Sequence, residues 1–391
     1  MGGLVVKPRS RIFHGHEWVY QSEVKKAFGE PQPGDVISLK DYRDRSLGTA
    51  IYNPASQIVA RRISRRKQDL TADFFRRRLE RAWNHRLEVI DPEATLARCV
   101  WSESDGLPGV ILDRYGTSLV LQTLTLAMDQ RLPLLVEAIE EVFQPEVLVL
   151  RNDSSGRQAE GLPKEVKVLR GEAQTIRHEV APQVSFVIDV EEGQKTGIYL
   201  DQLENYGRVA KWAEGKRVLD CFCNQGGFAL HAAAAGAKET LGVDISESAI
   251  QQAEENAQVG GLANVRFEEA NVFDFLKAQE GQGKRYDLII LDPPSFTRSR
   301  KALSQALRGY KEIHLRALKM LEPGGLLATF CCSHHVDPDV FGNMLRDAAV
   351  DAKRTLRERE HYTQRADHPV LVGIPETRYL HGLMVEVISS W

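Results

Sequence analysis

The chain has 391 residues, 42% of them hydrophobic and 27% charged, with a formal net charge of −3. That length exceeds one ordinary core and predicts two or three domains, and that composition favours no disordered, collagenous or membrane-embedded class. No stretch nears the roughly 18 apolar residues of a membrane span, and MGGLVVKPRS carries no apolar leader core, so a cytoplasmic protein with no membrane partner is expected. The count of five cysteines is odd and low, which speaks against a disulfide framework and for reduced thiols.

Charge is spread unevenly. Residues 1–90 hold 18 Lys and Arg against 10 Asp and Glu, with arginines gathered in RRISRRK (61–67) and RRRLER (76–81). Such clusters either coat a solvated surface or track phosphates. Short alternating runs broken by Gly, Pro, Asn and Asp (EWVYQSEV, PQPGDVISLKD, SLGTAIYNP, QIVARRIS) predict a small β-barrel over 1–70. Thr71 then caps a helix over 72–90 with Phe74, Phe75, Leu79, Ala82 and Trp83 at helical spacing. With that helix, residues 71–180 read as a central α+β domain. SDGLPG (104–109) turns between the strands RCVWSES and VILDRYG; SLVLQTLTL and PEVLVLRND are further strands, and LPLLVEAIEEVF is a helix.

Over 181–391, and clearly from about Gly215, the pattern becomes strand, glycine turn, helix, repeated. This predicts an α/β, Rossmann-like domain whose ligands bind beyond the carboxyl ends of parallel strands. Its first loop, DCFCNQGGF (220–228), lacks the G-x-G-x-x-G spacing of a dinucleotide site. Asp220 opening that loop suits an ammonium instead, and a cofactor joining an amino acid to an adenosine is S-adenosylmethionine. Asp244, ending the second strand, suits ribose hydroxyls; the Asn271 carbonyl suits the adenine amine, with Phe222 or Phe273 against the ring. Asp292 and Pro293, in DPPSF, close the pocket. Any one of these alone is a routine turn; four in order at α/β spacing make a site.

These stretches resemble the bacterial 23S rRNA cytosine-C5 methyltransferases with an N-terminal PUA domain, of the large-subunit methyltransferase I type. The resemblance covers essentially the whole chain: HGHEWVYQSEV and YNPASQI, ESDGLPGVILDRYG, EEGQKTGIYLDQ, DCFCNQGGF, GVDIS, DPPSF, TFCCS, RADHPV and ETRYLHG. It implies that Lys195, Thr196, Tyr199 and Gln202 lie beside the cofactor with Asp220, Phe222 and Gly226, that the reacting base docks at Asp292, and that Cys332 is the nucleophile. It further implies S-adenosylhomocysteine as product and 23S rRNA, or an assembling large-subunit particle, as partner, and it allows a homodimer. Asn271 stands where Asp is common in the family, and Cys331 where Ser is.

Cytosine C5 is a poor nucleophile, so a thiolate must first add to C6, and a donor near N3, for which Asp292 is the candidate, stabilises the charge pushed there. The proton later lost from C5 is open to Ser295, Cys331 or water. The alternatives are methylation of a purine nitrogen or of uracil C5, and a noncatalytic assembly factor. A zinc site drawn from Cys221, Cys223, Cys331, Cys332, His334 and His335 lacks structural spacing, so no metal is expected.

Overall fold

A computed structural model describes every residue except Met1, Glu192, Gln194, Lys195, Arg298, Ser299 and His334, and Arg300 without its side chain. The expectations placed on Lys195 and His334 therefore lie outside the described residues. Two compact units emerge: Met1–Ile176 with Ile188–Leu200 and Ala366–Thr377, and Arg177–Val187 with Asp201–Arg365 and Arg378–Trp391.

The first unit opens with β1 (Gly3–Val6), β2 (Trp18–Tyr20), β3 (Val24–Phe28), β4 (Val36–Lys40), β5 (Ser46–Tyr52) and β6 (Ile58–Ser64), in the order β2-β6-β5-β4-β1-β3. Strands β1 and β4 run parallel and the other neighbours antiparallel, around a core that includes Leu4, Val19, Ile37, Leu39 and Val59. EWVYQSEV is not one strand. It breaks at Gln21–Glu23 because the Glu23 carboxylate accepts from the backbone N–H groups of Tyr20 (2.8 Å) and Arg11 (3.0 Å), fixing a corner.

Helix α1 (Ala72–Val89) starts where the sequence places it, since the Thr71 hydroxyl accepts from the Phe74 N–H at 3.3 Å. There follow β7 (Leu96–Trp101), β8 (Val110–Tyr115), β9 (Ser118–Thr123), α2 (Leu126–Asp129), α3 (Leu132–Phe143), β10 (Val147–Asn152) and β11 (Glu165–Arg170). The sheet order is β11-β10-β9-β8-β7, and α1 and α3 share its core. The segment Ala366–Thr377 is stitched back here. The Asp367 carboxylate accepts from the Arg98 N–H (3.0 Å), its carbonyl accepts from Arg86 (3.0 Å), and His368 tilts against Trp101.

The second unit comprises a hairpin of β12 (Ile176–Ala181) and β13 (Val184–Ile188), then α4 (Leu203–Ala210), β14 (Arg217–Cys221), α5 (Gly227–Ala234), β15 (Glu239–Asp244), α6 (Glu247–Val259), β16 (Val265–Glu269) and α7 (Val272–Gly281). It continues with β17 (Tyr286–Leu291), α8 (Leu303–Lys319), β18 (Leu321–Cys331), α9 (Pro338–Asp351), β19 (Arg354–Thr363) and β20 (His381–Ser390). The seven strands order as β16-β15-β14-β17-β18-β20-β19, parallel through β18 and antiparallel at the β20 and β19 edge. Leu288 to Leu291 are wholly buried, as a parallel strand covered on both faces requires. Each such side chain contributes about 1.5–3 kcal/mol of burial. No helix among the described residues is long and apolar enough to cross a membrane.

Candidate active site

Strand order reverses beside β14: β15 lies on one side of it and β17 on the other. Open parallel sheets bind ligands at that crevice, beyond the carboxyl ends. Asp220, Asp244 and Asp292 all stand at those ends, and Cys332 follows the last residue of β18. Because Leu291 of β17 pairs with Thr329 of β18, the DPPSF and TFCC segments leave the sheet side by side.

On the β14 side, Asp220 is 1% exposed. One of its oxygens accepts from the Ala229 N–H at 2.9 Å, and the other has no hydrogen-bond partner among the described residues. Burial, with the charges of Asp292 and Asp244 nearby, pushes its pKa well above the usual carboxylate range. A buried carboxylate oxygen without a donor fits the ammonium of the cofactor's amino-acid part, so the residues present suit S-adenosylmethionine. Asp244 is half-buried and accepts from the backbone N–H groups of Asn224 (2.9 Å) and Ser246 (3.0 Å). Those bonds aim the carboxylate while leaving lone pairs for hydroxyls. Phe222 sits at φ +64° and packs edge-on to Phe296, whose ring also meets Phe273 at 5.7 Å and Tyr310 at 4.6 Å.

One role differs from expectation. The Asn271 carbonyl caps α7, accepting from the N–H groups of Phe273 (3.0 Å) and Asp274 (3.5 Å), so the exposed face it offers a ligand is its amide NH2. At Gly226 and Gly227 a Cβ would lie 2.9 Å from the Phe267 ring and 2.5 Å from the Tyr206 ring, respectively. The glycines serve packing beneath the loop.

On the β17 and β18 side, Gln202 donates to Asp292 at 3.0 Å and is itself oriented by the Asn205 amide at 2.7 Å. The Cys332 thiol, half-buried, points at the Pro293 carbonyl oxygen 3.8 Å away. Ser295 donates to the Thr297 carbonyl at 2.8 Å and meets the Ser333 hydroxyl at 3.1 Å, tying the two loops together. Cys331 faces the other way, buried against the Tyr310 hydroxyl at 3.7 Å, and burial raises its pKa. Thr196 and Tyr199 fall in the first unit, where the buried Thr196 hydroxyl bonds to Asp113 (2.5 Å) and Tyr115 (2.8 Å), and Tyr199 is half-buried.

Sequence reasoning missed Tyr310 and His314 on α8. His314 bonds the Tyr310 carbonyl (2.6 Å) and the Thr329 hydroxyl (2.7 Å), bracing the strand that presents the thiol. Their spacing of four is the one local signal, and it reads as an ordinary helix face. Among the described residues no group of three or more His, Cys, Asp or Glu is arranged to hold a metal ion.

Sheet order, carboxyl-edge carboxylates and the buried unpaired oxygen of Asp220 define a class: α/β enzymes that bind S-adenosylmethionine. A family model for S-adenosylmethionine-dependent methyltransferases matches residues 159–373, and one for PUA-like domains matches residues 7–65. Curated relatives named ribosomal RNA large subunit methyltransferase I include those of Shewanella amazonensis (39% identical; 95% of this chain and 95% of that one), Shewanella denitrificans (38%; 95% and 95%) and Erwinia tasmaniensis (37%; 98% and 99%). A solved candidate SAM-dependent methyltransferase from Streptococcus mutans shares the fold at TM-score 0.84 and 21% identity, over 99% of this chain and 100% of that one. A candidate methyltransferase crystallised with S-adenosylhomocysteine matches with the same values. The chain belongs to the family of ribosomal RNA large subunit methyltransferase I, S-adenosylmethionine-dependent methyltransferases with an N-terminal PUA-like domain.

Proposed function

We propose that the chain methylates C5 of a cytosine in 23S rRNA through a covalent bond between Cys332 and C6. The supporting observation is the meeting of the two loops, with the Cys332 sulfur 3.8 Å from the carbonyl oxygen of the residue after Asp292. A purine-nitrogen methyltransferase has no use for a thiol there. The name of the relatives, ribosomal RNA large subunit methyltransferase I, supports large-subunit rRNA as the substrate class.

The bound cofactor supplies an electrophilic methyl group. Asp220 holds its ammonium, Asp244 its ribose, the Asn271 amide a ring nitrogen of the adenine, and Phe222 and Phe273 its faces; Lys195, Thr196 and Tyr199 belong to this reading by family resemblance. The Cys332 thiolate adds to C6, and Asp292, kept in orientation by Gln202 and either protonated or sharing the N3 proton, hydrogen-bonds N3 as electron density arrives. C5 takes the methyl group and S-adenosylhomocysteine is left; the C5 proton then passes to an acceptor while the C6–S bond breaks, restoring the C5=C6 double bond and releasing the Cys332 thiolate. Water is favoured as the proton acceptor, since Ser295 donates to Thr297 and Cys331 faces Tyr310. A base in folded RNA must leave its stack to reach such a site, at a cost of a few kcal/mol that RNA contacts elsewhere offset. The barrel of residues 1–70 and the central domain of 71–180 are assigned to those contacts, in a cytoplasmic enzyme acting on rRNA or an assembling particle.

The test is a 23S rRNA transcript carrying 5-fluorocytidine. Fluorine at C5 cannot leave as a proton, so a covalent protein–RNA complex should accumulate in the presence of S-adenosylmethionine and vanish in Cys332→Ala. Methylation of ordinary rRNA with no trapped complex would overturn the covalent mechanism.

A further inference from the structure

The two arginine clusters do not form one patch. Arg61 is committed to Glu103 (2.6 Å) and Arg62 to Glu17, so those two brace the barrel. Arg66, Arg78 and Arg81 have no carboxylate partner among the described residues, and all three line one groove of about 1130 Å³ within the first unit. Its walls are the end of β6, one face of α1, the SDGLPG turn and Pro369 to Leu371.

Arg78 is the built element of that groove. It is half-buried, its guanidinium donates to the Ile63 carbonyl at 2.9 Å, and it lies 5.3 Å over the Phe74 ring. Gly106, at φ +68°, makes room for it: a Cβ there would stand 2.6 Å from Nη1 of Arg78. The glycine of the SDGLPG motif thus allows an unpaired guanidinium to sit against the turn. Burial and the neighbouring Arg81 and Arg77 lower its pKa, as expected of a cation lacking an anion. Arg81 follows at i+3, on the same side of the helix. Most acids in the walls are already neutralised: Glu103 by Arg61, Asp105 by Arg86 and Glu80 by Arg76.

We propose that this groove is a phosphate track for the RNA strand, with Arg78, Arg81 and Arg66 each taking a backbone phosphodiester; the inference rests on RNA being the substrate. Guanidinium forks match phosphate oxygens. The cavity exceeds the ~300–1,000 Å³ usual for a small molecule, as a polymer passing through it requires. The lining contains no Phe, Tyr or Trp on which bases could stack, so the groove sets register without reading sequence.

The experiment is fluorescence anisotropy of the full chain with a 23S rRNA fragment across a salt series. Arg78→Gln/Arg81→Gln should bind at least about tenfold more weakly at low salt, with the log–log salt slope reduced by roughly 1.5, near 0.7–0.9 per lost contact. Arg66→Gln/Arg81→Gln, at exposed positions that leave the fold alone, should lower the slope equally. Lys25→Gln/Lys26→Gln, exposed on β3, serves as the control and should change neither. Slopes equal to wild type in both arginine variants would overturn the proposal, as would inorganic phosphate displacing RNA from wild type and variants alike. Binding does not report which base is methylated. A purine product would therefore sink the C5 reading and leave the groove standing, while unchanged slopes would do the reverse.

Discussion

Two buried aspartates, one in each unit, show how a carboxylate is kept for structure or for a ligand. Asp113 is fully satisfied: Arg98 donates to both its oxygens at 2.7 Å and the Thr196 hydroxyl donates at 2.5 Å. Asp220 has one backbone N–H, an orphaned oxygen and two other carboxylates for neighbours. The first needs nothing more. The second is destabilising as it stands, and an electrostatic deficit of that kind supports the ammonium contact proposed for it.

The largest effect belongs to the thiol beyond that deficit. Cys332→Ala should lower single-turnover methyl transfer on the order of 10³-fold or more, while calorimetry finds S-adenosylhomocysteine binding within about twofold of wild type. Asp113→Ala removes both hydrogen bonds that Arg98 makes to this buried carboxylate, so chemical denaturation should show a loss of about 3–5 kcal/mol. Asp220→Asn should behave oppositely. Cofactor affinity should fall roughly 10- to 100-fold, for a lost charged hydrogen bond of about 1.5–3 kcal/mol, while the ligand-free protein melts a few degrees higher. A lower melting temperature in Asp220→Asn would place Asp220 with Asp113 as a structural group.

Acid should distinguish the groups further. The raised pKa of Asp220 means the folded state holds that proton more tightly, so this residue adds stability as pH falls. Burial lowers the pKa of His314 to about 4. Its contribution is present above the unfolded value near 6.5 and is lost as pH falls toward 4, by about 2 kcal/mol at pH 5. His314→Gln should lose less stability between pH 7 and pH 5 than wild type, measured by denaturant midpoints at each pH.

Local rules made much of this legible. The Thr71 cap and the apolar spacing after it fixed α1, and the alternation of apolar strands with glycine turns carried the parallel sheet and the neighbouring exits of DPPSF and TFCC. Contacts between distant residues were not legible. Gln202 reaches Asp292 across 90 positions, and Arg61 reaches Glu103 across 42, so the RRISRRK cluster divides into braces and free cations for reasons outside the cluster. Strand β19, REREHY at its centre, hides its pairing with β20 because an edge strand tolerates charge on both faces. TFCCSHH divides in the same way: Cys331 packs against Tyr310, and Cys332 turns toward Pro293.

Nucleoside mass spectrometry of 23S rRNA from cells with and without this gene, with the modified base mapped, tests the central claim most directly. Loss of a single 5-methylcytidine is the expected result. Loss of a methylated purine, with every 5-methylcytidine retained, would contradict it and return Cys332 to the packed end of a strand.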